Sequence, residues 1–530
     1  MAGFDDHLTD AMGAFSVSDD EIVLDDNIRT QLTKIENNYE SIFSWDIQRF
    51  TGVNKNLLLN LIDKVREQKQ MTIDMATKAD EFNQVRYYLQ LVASYELYNR
   101  KRYKESYLEI ESVVKFLETC KFDESNKQYA DAYHHIARAS NAYIALTLKI
   151  DSEKLLKDVK HVNNFNQAEK SAICAIKAKI FMEYPAKGNA IALNFADQAR
   201  ALHSTEPEWI IVWLKAKGRV RRSYEPYKMP DDDEIKAAEI LCSIKTNHRH
   251  LIKASQLYKE AGYINRLKNN HKESTKFFKL SSDIAKISIE LANDDVNELN
   301  SLLLTCIESP DEFFSASMIE NLVTRLSKVK NSCVDQVLGF YYLKYEKDYV
   351  KAKMYLSRGM AAGQFSSSLQ LIKVECLLQP IEQFPFVKTL NMMYTIIENN
   401  PKQILWYLKL YLDEDIEDTF KKRNLIFTRP LFNTDKYFRP NQFLIDLSAS
   451  LRKLMNNNDN DLSKEEKNTY DQFNKLIKLN IGDNNFNKTT VHKNNDSWRK
   501  KRVDLTENKC NESHQQKNES WRRKRDPRQE

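Results

Sequence analysis

The sequence is poor in glycine. Only 10 of its 530 residues are glycine, about 2% where about 7% is usual. Glycine supplies the positive φ angles of tight hairpins and lets a backbone approach phosphate closely. No GxxxxGK[ST] or GxGxxG pattern occurs. The shortage therefore argues against β-hairpin folds, Rossmann folds and P-loops, and it favours an all-α chain.

Paired cysteines and long apolar runs are also absent from the sequence. The seven cysteines are widely scattered with no CxxC pair, which is typical of reduced thiols rather than of a disulfide framework or a zinc site. No window approaches the ~18 consecutive apolar residues of a membrane span, and the first residues lack the basic and apolar regions of a signal peptide. We therefore expect a cytoplasmic protein with no metal, no cofactor and no membrane partner.

Apolar residues recur three and four positions apart, among 25 Tyr and 25 Phe, as in amphipathic helices that pack on each other. Four stretches resemble the ~34-residue helix pair of tetratricopeptide repeats. They span residues 93–114, 175–209, 258–285 and 337–360. In the last, the small and large positions are Leu338, Gly339, Tyr342, Tyr349, Ala352, Leu356 and Gly359, with one extra residue in the turn. The predicted fold is an all-α, tetratricopeptide-like helical-hairpin solenoid; other helical repeats are the alternative.

Composition divides the chain into four segments. Residues 1–27 are acidic and predict a mobile N-terminal arm, and residues 28–455 predict the solenoid. Residues 456–481 predict an Asn-rich linker and one helix that a capping box of Ser463 and Glu466 opens. Residues 482–530 are too poor in apolar side chains to order themselves and predict a disordered basic tail.

Catalytic patterns are missing: neither GxSxG nor HExxH occurs. His248 and His250 could share a metal ion, but no Cys or carboxylate stands at ligand spacing. We expect them on a solvated loop or a helix end, and we expect the protein not to be an enzyme.

The stretch from Glu206 to Tyr227 is unusually basic for a helix. It holds five cations and no acid between Trp209 and Ser223. On a helix, Lys215, Arg219 and Arg222 form one stripe and Lys217 and Arg221 another. Basic stripes with nearby aromatic rings, here Trp209, Trp213, Tyr224 and Tyr227, suit single-stranded nucleic acid. The alternative is an exposed basic helix that lies over the acidic residues 231–234.

The sequence resembles a family, the interferon-induced proteins with tetratricopeptide repeats. Phe43 to Asp46 resembles the family's Phe-Thr-Trp-Asn/Asp signature, and PEW at Pro207 to Trp209 resembles its Pro-Glu-Phe. The resemblance covers roughly residues 40 to 360. It implies an RNA-binding solenoid that holds 5′ ends of RNA in a basic concave cavity, in antiviral innate defence or RNA control.

The same resemblance suggests which residues contact RNA. Arg219 falls where a family arginine contacts the 5′ phosphates, and Lys177 or Lys179 approximates a phosphate-contacting lysine. Tyr263 and Arg266 resemble a later stretch that lines the same cavity. The implied RNA-binding residues are Arg219, Lys215, Arg222, Lys177, Lys179, Tyr263 and Arg266.

The tail repeats one motif, N-[DE]-S-W-R-[KR]-K-R. Its two copies consist of Trp498, Arg499, Lys500, Lys501 and Arg502, and of Trp521, Arg522, Arg523, Lys524 and Arg525. The copies predict nuclear import, RNA contact, or docking of each tryptophan in a pocket of a protein partner. A merely solubilising tail is the alternative.

Two functional hypotheses follow. The first is a non-enzymatic RNA-binding protein. The second is a protein-interaction scaffold that takes a peptide or helix on its concave face and recruits a partner through the tail.

Overall fold

The computed structural model describes five main parts of the chain: residues 24–51, 64–67, 81–378, 440–456 and 464–481. Residue 62 and seven single positions between 387 and 408 are also described. Within 81–378 the description leaves out residues 151, 158, 185–186, 226–227, 245–246, 293–294 and 363. Residues 1–23 of the predicted acidic arm and the whole predicted tail, with both tryptophan motifs, lie outside the described residues.

The described part of the chain is all-α, as predicted; its one β feature is an isolated bridge between Glu81 and Lys121. No described helix is both long and apolar enough to cross a membrane. Helices of ten or more residues are α1 Asp26–Asn38, α2 Gln84–Asn99, α3 Tyr103–Thr119, α4 Ala130–Thr147, α5 Gln167–Phe181, α6 Lys187–Leu202, α7 Pro207–Tyr224, α8 Asp232–Ser243, α9 His248–Leu267, α10 His271–Leu291, α11 Val296–Glu308, α12 Ala316–Leu326, α13 Ser332–Tyr341, α14 Tyr349–Ala361, α15 Phe365–Leu378, α16 Pro440–Asn456 and α17 Lys464–Ile481.

Consecutive helices form tetratricopeptide-like hairpins. The pairs are α2/α3, α5/α6, α7/α8, α9/α10, α11/α12 and α13/α14, and the first helices of successive pairs from α5 to α13 also contact each other. The first helices therefore make one continuous layer. The chain divides into two compact units, and α1–α15 belong to the first, whereas α16 and α17 pack on each other in the second. The predicted extent of one solenoid over residues 28–455 stays a prediction.

Small residues let the two helices of a hairpin approach closely. Ser94 of α2 and Ser106 of α3 each donate a hydroxyl hydrogen bond to the other's carbonyl, at 2.9 and 2.7 Å. Ser255 of α9 and Ser281 of α10 make the same exchange, at 2.9 Å in both directions. Hydroxyls that bond the facing backbone satisfy their own polar atoms and permit contact that a larger side chain would block.

The turns between paired helices use a left-handed residue. Lys101, Asn269 and Lys347 have φ of 62°, 58° and 54° and lie in the turns of α2/α3, α9/α10 and α13/α14. The last hairpin also contains a π-helical segment, Tyr342–Glu346. Because a π-helical turn accommodates one inserted residue, this segment accounts for the extra residue that the repeat pattern shows there.

We predict that Gly339→Ala destabilises the protein by about 1–3 kcal/mol, because overpacking a close helix contact forces shifts in the backbone or in side chains. A Cβ at Gly339 would lie 2.6 Å from Cγ of Leu356 on α14. Gly218→Ala is the control, since its Cβ would meet only the guanidinium end of Arg222, at 3.1 Å. Denaturant unfolding should show a neutral or slightly stabilising effect for the control. Equal effects of the two changes would contradict the packing account.

Candidate nucleic-acid interface

The basic helix α7 begins with residues that favour a helix start. The carboxylate of Glu206 accepts a hydrogen bond from the backbone N–H of Glu208, and Pro207 occupies the first turn. The helix continues to Tyr224 and carries both predicted basic stripes. The structure gives these two stripes different surroundings.

The stripe of Lys217 and Arg221 is neutralised by acids of α8 and α9. Lys217 lies 2.6 Å from a carboxylate oxygen of Asp231. Arg221 is buried and forms ion pairs with Glu234 at 3.1 Å and with Glu260 at 2.8 Å. The alternative interpretation, a basic helix over an acidic neighbour, therefore holds for this stripe.

We predict a structural role for Arg221. Glu234 is 1% exposed, so Arg221→Ala would leave a buried carboxylate without its cation and should cost about 3–5 kcal/mol. Arg222→Ala is the matched control: Arg222 pairs with the same Glu260 but is exposed, so its loss should cost less than about 1 kcal/mol. Chemical denaturation of both variants measures the difference. Similar small losses would contradict the assignment.

The other stripe faces the layer of first helices. Arg219 donates a hydrogen bond to the carbonyl of Met182, at the C-terminal end of α5, where a cation also complements the helix dipole. Its charge, together with that of Lys64, holds the pKa of the neighbouring Glu183 below its usual value although burial opposes this. Arg222 lies 3.0 Å from a carboxylate oxygen of Glu260 on α9.

Lys215 and Arg219 belong to a larger cluster, which we call the basic recess. Its members interact electrostatically with one another, and most lie on the first helices α5, α7, α9 and α11. Seven cations and five carboxylates give it a net charge of +2 when every lysine is protonated. The cations are Lys64, Lys179, Lys215, Arg219, Arg222, Arg249 and Lys253, and the carboxylates are Glu183, Glu208, Glu260, Asp295 and Glu298.

A helical turn at residues 64–67 contacts residues of two first helices. Lys64 lies 3.9 Å from Glu183, just beyond the C-terminal end of α5. Glu67 accepts hydrogen bonds from the backbone N–H and the hydroxyl of Ser332, at 3.2 and 3.0 Å, at the start of α13. The turn thus bridges the end of α5 and the start of α13, and its Lys64 is a member of the basic recess.

Three lysines of the recess differ in exposure, yet burial lowers the pKa of each. Lys215 is exposed, but burial by the surrounding protein lowers its pKa to about 8, and the charge of Arg219 adds to the effect. Lys179 is buried and Lys253 is half-buried. Burial lowers the pKa of both to about 7, in Lys253 with the repulsion of Arg222 and Lys215. Cations held in such desolvating surroundings are candidates for contact with an anion.

We predict that Lys179→Met stabilises the unliganded protein near neutral pH. With a folded pKa of about 7 against about 10.4 in the unfolded chain, Lys179 destabilises the fold fully below pH 7. That penalty is lost as pH rises towards 10. The melting temperature of the variant should exceed that of the wild type by several degrees at pH 6.5, and the gain should shrink by pH 9.5.

The exposed Lys236 of α8 provides the control for this measurement, because Lys236→Met removes the same charge outside the recess. It should leave the melting temperature nearly unchanged at both pH values. A gain from Lys179→Met that does not depend on pH, or a loss of stability at pH 6.5, would contradict the desolvation of Lys179.

Several predicted site residues lie elsewhere. Lys177 points away from Lys179: its ammonium lies 2.9 Å from Glu40 and over the ring of Trp45. Residues two apart on a helix project to different sides, so only Lys179 reaches the recess. Tyr263 is 43% exposed, and the charges that affect its pKa are those of Glu308 and Arg266.

Tyr263 and Arg266 thus lie towards the C-terminal end of α9, about two turns or more beyond Lys253. Among the described residues, no contact between these two side chains and the recess groups supports the prediction that they line the same cavity as Arg219.

The tryptophans of α7 are not stacking surfaces, which corrects the expectation for them. Trp209 and Trp213 are 1% and 4% exposed and belong to the hydrophobic core. Their indole N–H groups donate to Ser171 and Asp197, at 3.2 and 2.7 Å. The side chain of Tyr224 and the whole of Tyr227 lie outside the described residues.

Sequence reasoning missed three of the seven cations of the site and all of its carboxylates. The missed cations are Lys64, Arg249 and Lys253. It also missed the half-buried Tyr88 of α2, whose pKa is raised by burial and by Glu183. Arg249 and Lys253 lie four apart on the first helix of the hairpin after α7. The same i, i+4 test that identified Lys215 and Arg219 would have found them.

The two histidines of α9 have carboxylate partners that sequence spacing did not reveal. His248 contacts Glu298, and the buried His250 lies 3.6 Å from Glu208. Burial alone would raise the pKa of Glu208, but Arg249 and His250 lower it to about 2. The pair stands at a helix start, as expected, but His250 is not solvated. Among the described residues no group of three or more metal-ligating side chains is arranged to hold a metal ion.

Comparison with known proteins does not assign the chain to a family. No protein-family model matches it, and no curated protein matches it. Among solved structures, a dimer of human IFIT1 with m7Gppp-AAAA is similar over 88% of this chain and 100% of that chain, with 9% sequence identity and a TM-score of 0.47. At these values, membership of the interferon-induced family stays a prediction. The described structure defines the class: a tetratricopeptide-like helical-hairpin protein with a basic recess.

Proposed function

We propose that the protein binds single-stranded RNA in the basic recess and performs no chemical step there. The observation that carries the proposal is the convergence of cations from α5, α7, α9 and the turn at residues 64–67. Burial, with the repulsion of neighbouring cations, lowers the pKa of four of them, which are Lys179, Lys215, Arg219 and Lys253. Like charges held together in this way destabilise the unliganded protein. An anionic ligand would turn that repulsion into attraction, which is the usual reason to maintain such a cluster.

Phosphate is the anion that this arrangement suits best. Arg219 and Arg249 offer planar guanidinium groups for bidentate bonds to phosphate oxygens, and the lysines add compact charges around them. The half-buried carboxylate of Glu183 between the cations also suits a ligand with N–H donors, which the bases of RNA carry. Tyr88 offers a half-buried ring at the same place.

We further propose that a phosphorylated 5′ end is preferred over the middle of a strand. The turn at residues 64–67 contacts Glu183 through Lys64 and Ser332 through Glu67, and we propose that it bounds the recess on this side. A bounded recess admits a chain end more readily than a strand that must leave on both sides. A triphosphate also concentrates more negative charge at one point than the internal phosphodiesters do.

The test measures binding of a short single-stranded RNA to the full chain and to Lys215→Glu. We predict that the charge reversal lowers affinity by about tenfold or more and reduces the log–log salt slope by about 1. Lys236→Glu makes the same charge change on the exposed face of α8 and should leave both values nearly unchanged. RNA with a 5′-triphosphate and with a 5′-hydroxyl separates end recognition from strand recognition.

Equal affinity of wild type and Lys215→Glu, with both chains folded, would contradict binding in the recess. An acidic peptide that binds more tightly than RNA would favour the scaffold hypothesis instead. Peptide docking through side-chain pockets should also depend little on salt, whereas single-stranded RNA should show a slope on the order of 0.7 per neutralised phosphate.

A further inference from the structure

The charge of the first residues is the opposite of that of the basic recess. Residues 1–23 hold six carboxylates and no Lys or Arg; the first basic residue of the chain is Arg29. The carboxylates are Asp5, Asp6, Asp10, Asp19, Asp20 and Glu21. A run of acids with no interspersed lysine or arginine stands out in a chain whose remaining residues carry a formal net charge of +11. Such a run suits a partner of positive charge.

The contacts of the described residues set an upper limit on the distance between this acidic segment and the recess. The helix α1, Asp26–Asn38, is about 20 Å long, and Glu40 just after it is 2.9 Å from the ammonium of Lys177 on α5. Lys177 precedes the recess residue Lys179 by two positions. The lengths of α1, of the short extended segments at its ends and of the Glu40 and Lys177 side chains add up to roughly 50 Å. Leu24 therefore lies no farther than this from the α5 backbone at Lys179.

The length of the segment is sufficient for this distance. Twenty-three residues can span up to about 75 Å. A tethered segment whose reach exceeds the distance to its target is present there at an effective concentration on the order of millimolar. Weak electrostatic attraction is therefore enough for it to occupy the recess for much of the time.

We propose that the acidic residues 1–23 bind in the basic recess and compete there with nucleic acid. Their carboxylates take the positions of phosphates beside Lys215, Arg219 and Lys253. The competition rests on the proposed function, but the docking itself requires only the opposite charges and the reach. RNA must then displace the segment, so that strong RNA ligands are selected over weak ones.

Zero-length carbodiimide crosslinking of the full chain tests the docking directly, because it joins only carboxylates and amines in contact. At low salt we expect coupling of acids within residues 1–23 to Lys215 or Lys253, and its loss at 1 M salt, where charges separated by more than about 3 Å are screened. The control is the full chain with the six acids replaced by Asn or Gln, which should show no such coupling.

Two results would overturn the docking. One is coupling of the acidic segment to lysines of the basic tail, such as Lys500 and Lys524, in place of the recess. The other is coupling that is absent, or equally strong at the exposed Lys236 and Lys279, which would show a diffuse attraction without a site.

RNA affinity tests the competition. Neutralising the six acids in the full chain should raise affinity by about five- to tenfold at low salt, and the gain should disappear in the Lys215→Glu background. An equal gain in both backgrounds would show general repulsion of RNA by the acids and overturn the competition. Crosslinks to Lys215 in a chain that binds no RNA would contradict the proposed function and leave the docking in place.

Discussion

The close approach of the two helices within each hairpin is the contact on which the rest of the structure depends. Gly262 packs against the ring of Phe278, and a Cβ at this position would lie 3.0 Å from the ring. The serine exchanges of α2/α3 and α9/α10 bring the backbones of paired helices together at further points along the hairpins. Tightly paired helices stack as units, so the first helices of successive pairs contact each other. Residues that are distant in sequence, such as Lys179 and Lys253, are thereby placed in one recess.

Helix α7 combines stabilising and destabilising charge interactions. The stripe of Lys217 and Arg221 finds acids on α8 and α9 and stabilises the hairpin. The stripe of Lys215 and Arg219 faces other cations, with too few carboxylates to balance them, and the pKa of Lys215 falls to about 8 as a result of burial and this repulsion. One helix thus stabilises the hairpin with one basic stripe, and in the proposed function it contacts RNA with the other.

Much of the fold could be predicted from the sequence, because hairpins are local. The four proposed repeats all contain paired helices, and the helix through Tyr470 and Phe473 is present as Lys464–Ile481. The site could be predicted only in part. Helical spacing correctly separated the two stripes of α7, but it could not show which stripe meets Asp231 and Glu234, since that depends on how α8 packs. Lys177 and Lys179 could not be distinguished for the same reason: Glu40, which binds Lys177, is 137 residues away along the chain.

The aromatic residues show the main limit of pattern reading. Trp209 and Trp213 look like base-stacking residues next to a basic stripe, yet both rings are buried in the hydrophobic core. A large apolar side chain at a helix position that faces a neighbouring hairpin is buried by that neighbour, whatever charges stand beside it in sequence. Surface chemistry is therefore inferred more safely from long cations than from aromatic rings in a helical-hairpin protein.

A crystal structure of the full chain with a short single-stranded RNA tests the central claim most directly. The account predicts phosphate oxygens within hydrogen-bonding distance, about 3 Å, of Lys215 and Arg219, with further phosphates near Arg249 or Lys253. RNA bound instead at the exposed end of α9 around Tyr263 and Arg266, or on the second helices of the hairpins, with the basic recess unoccupied by RNA, would contradict it.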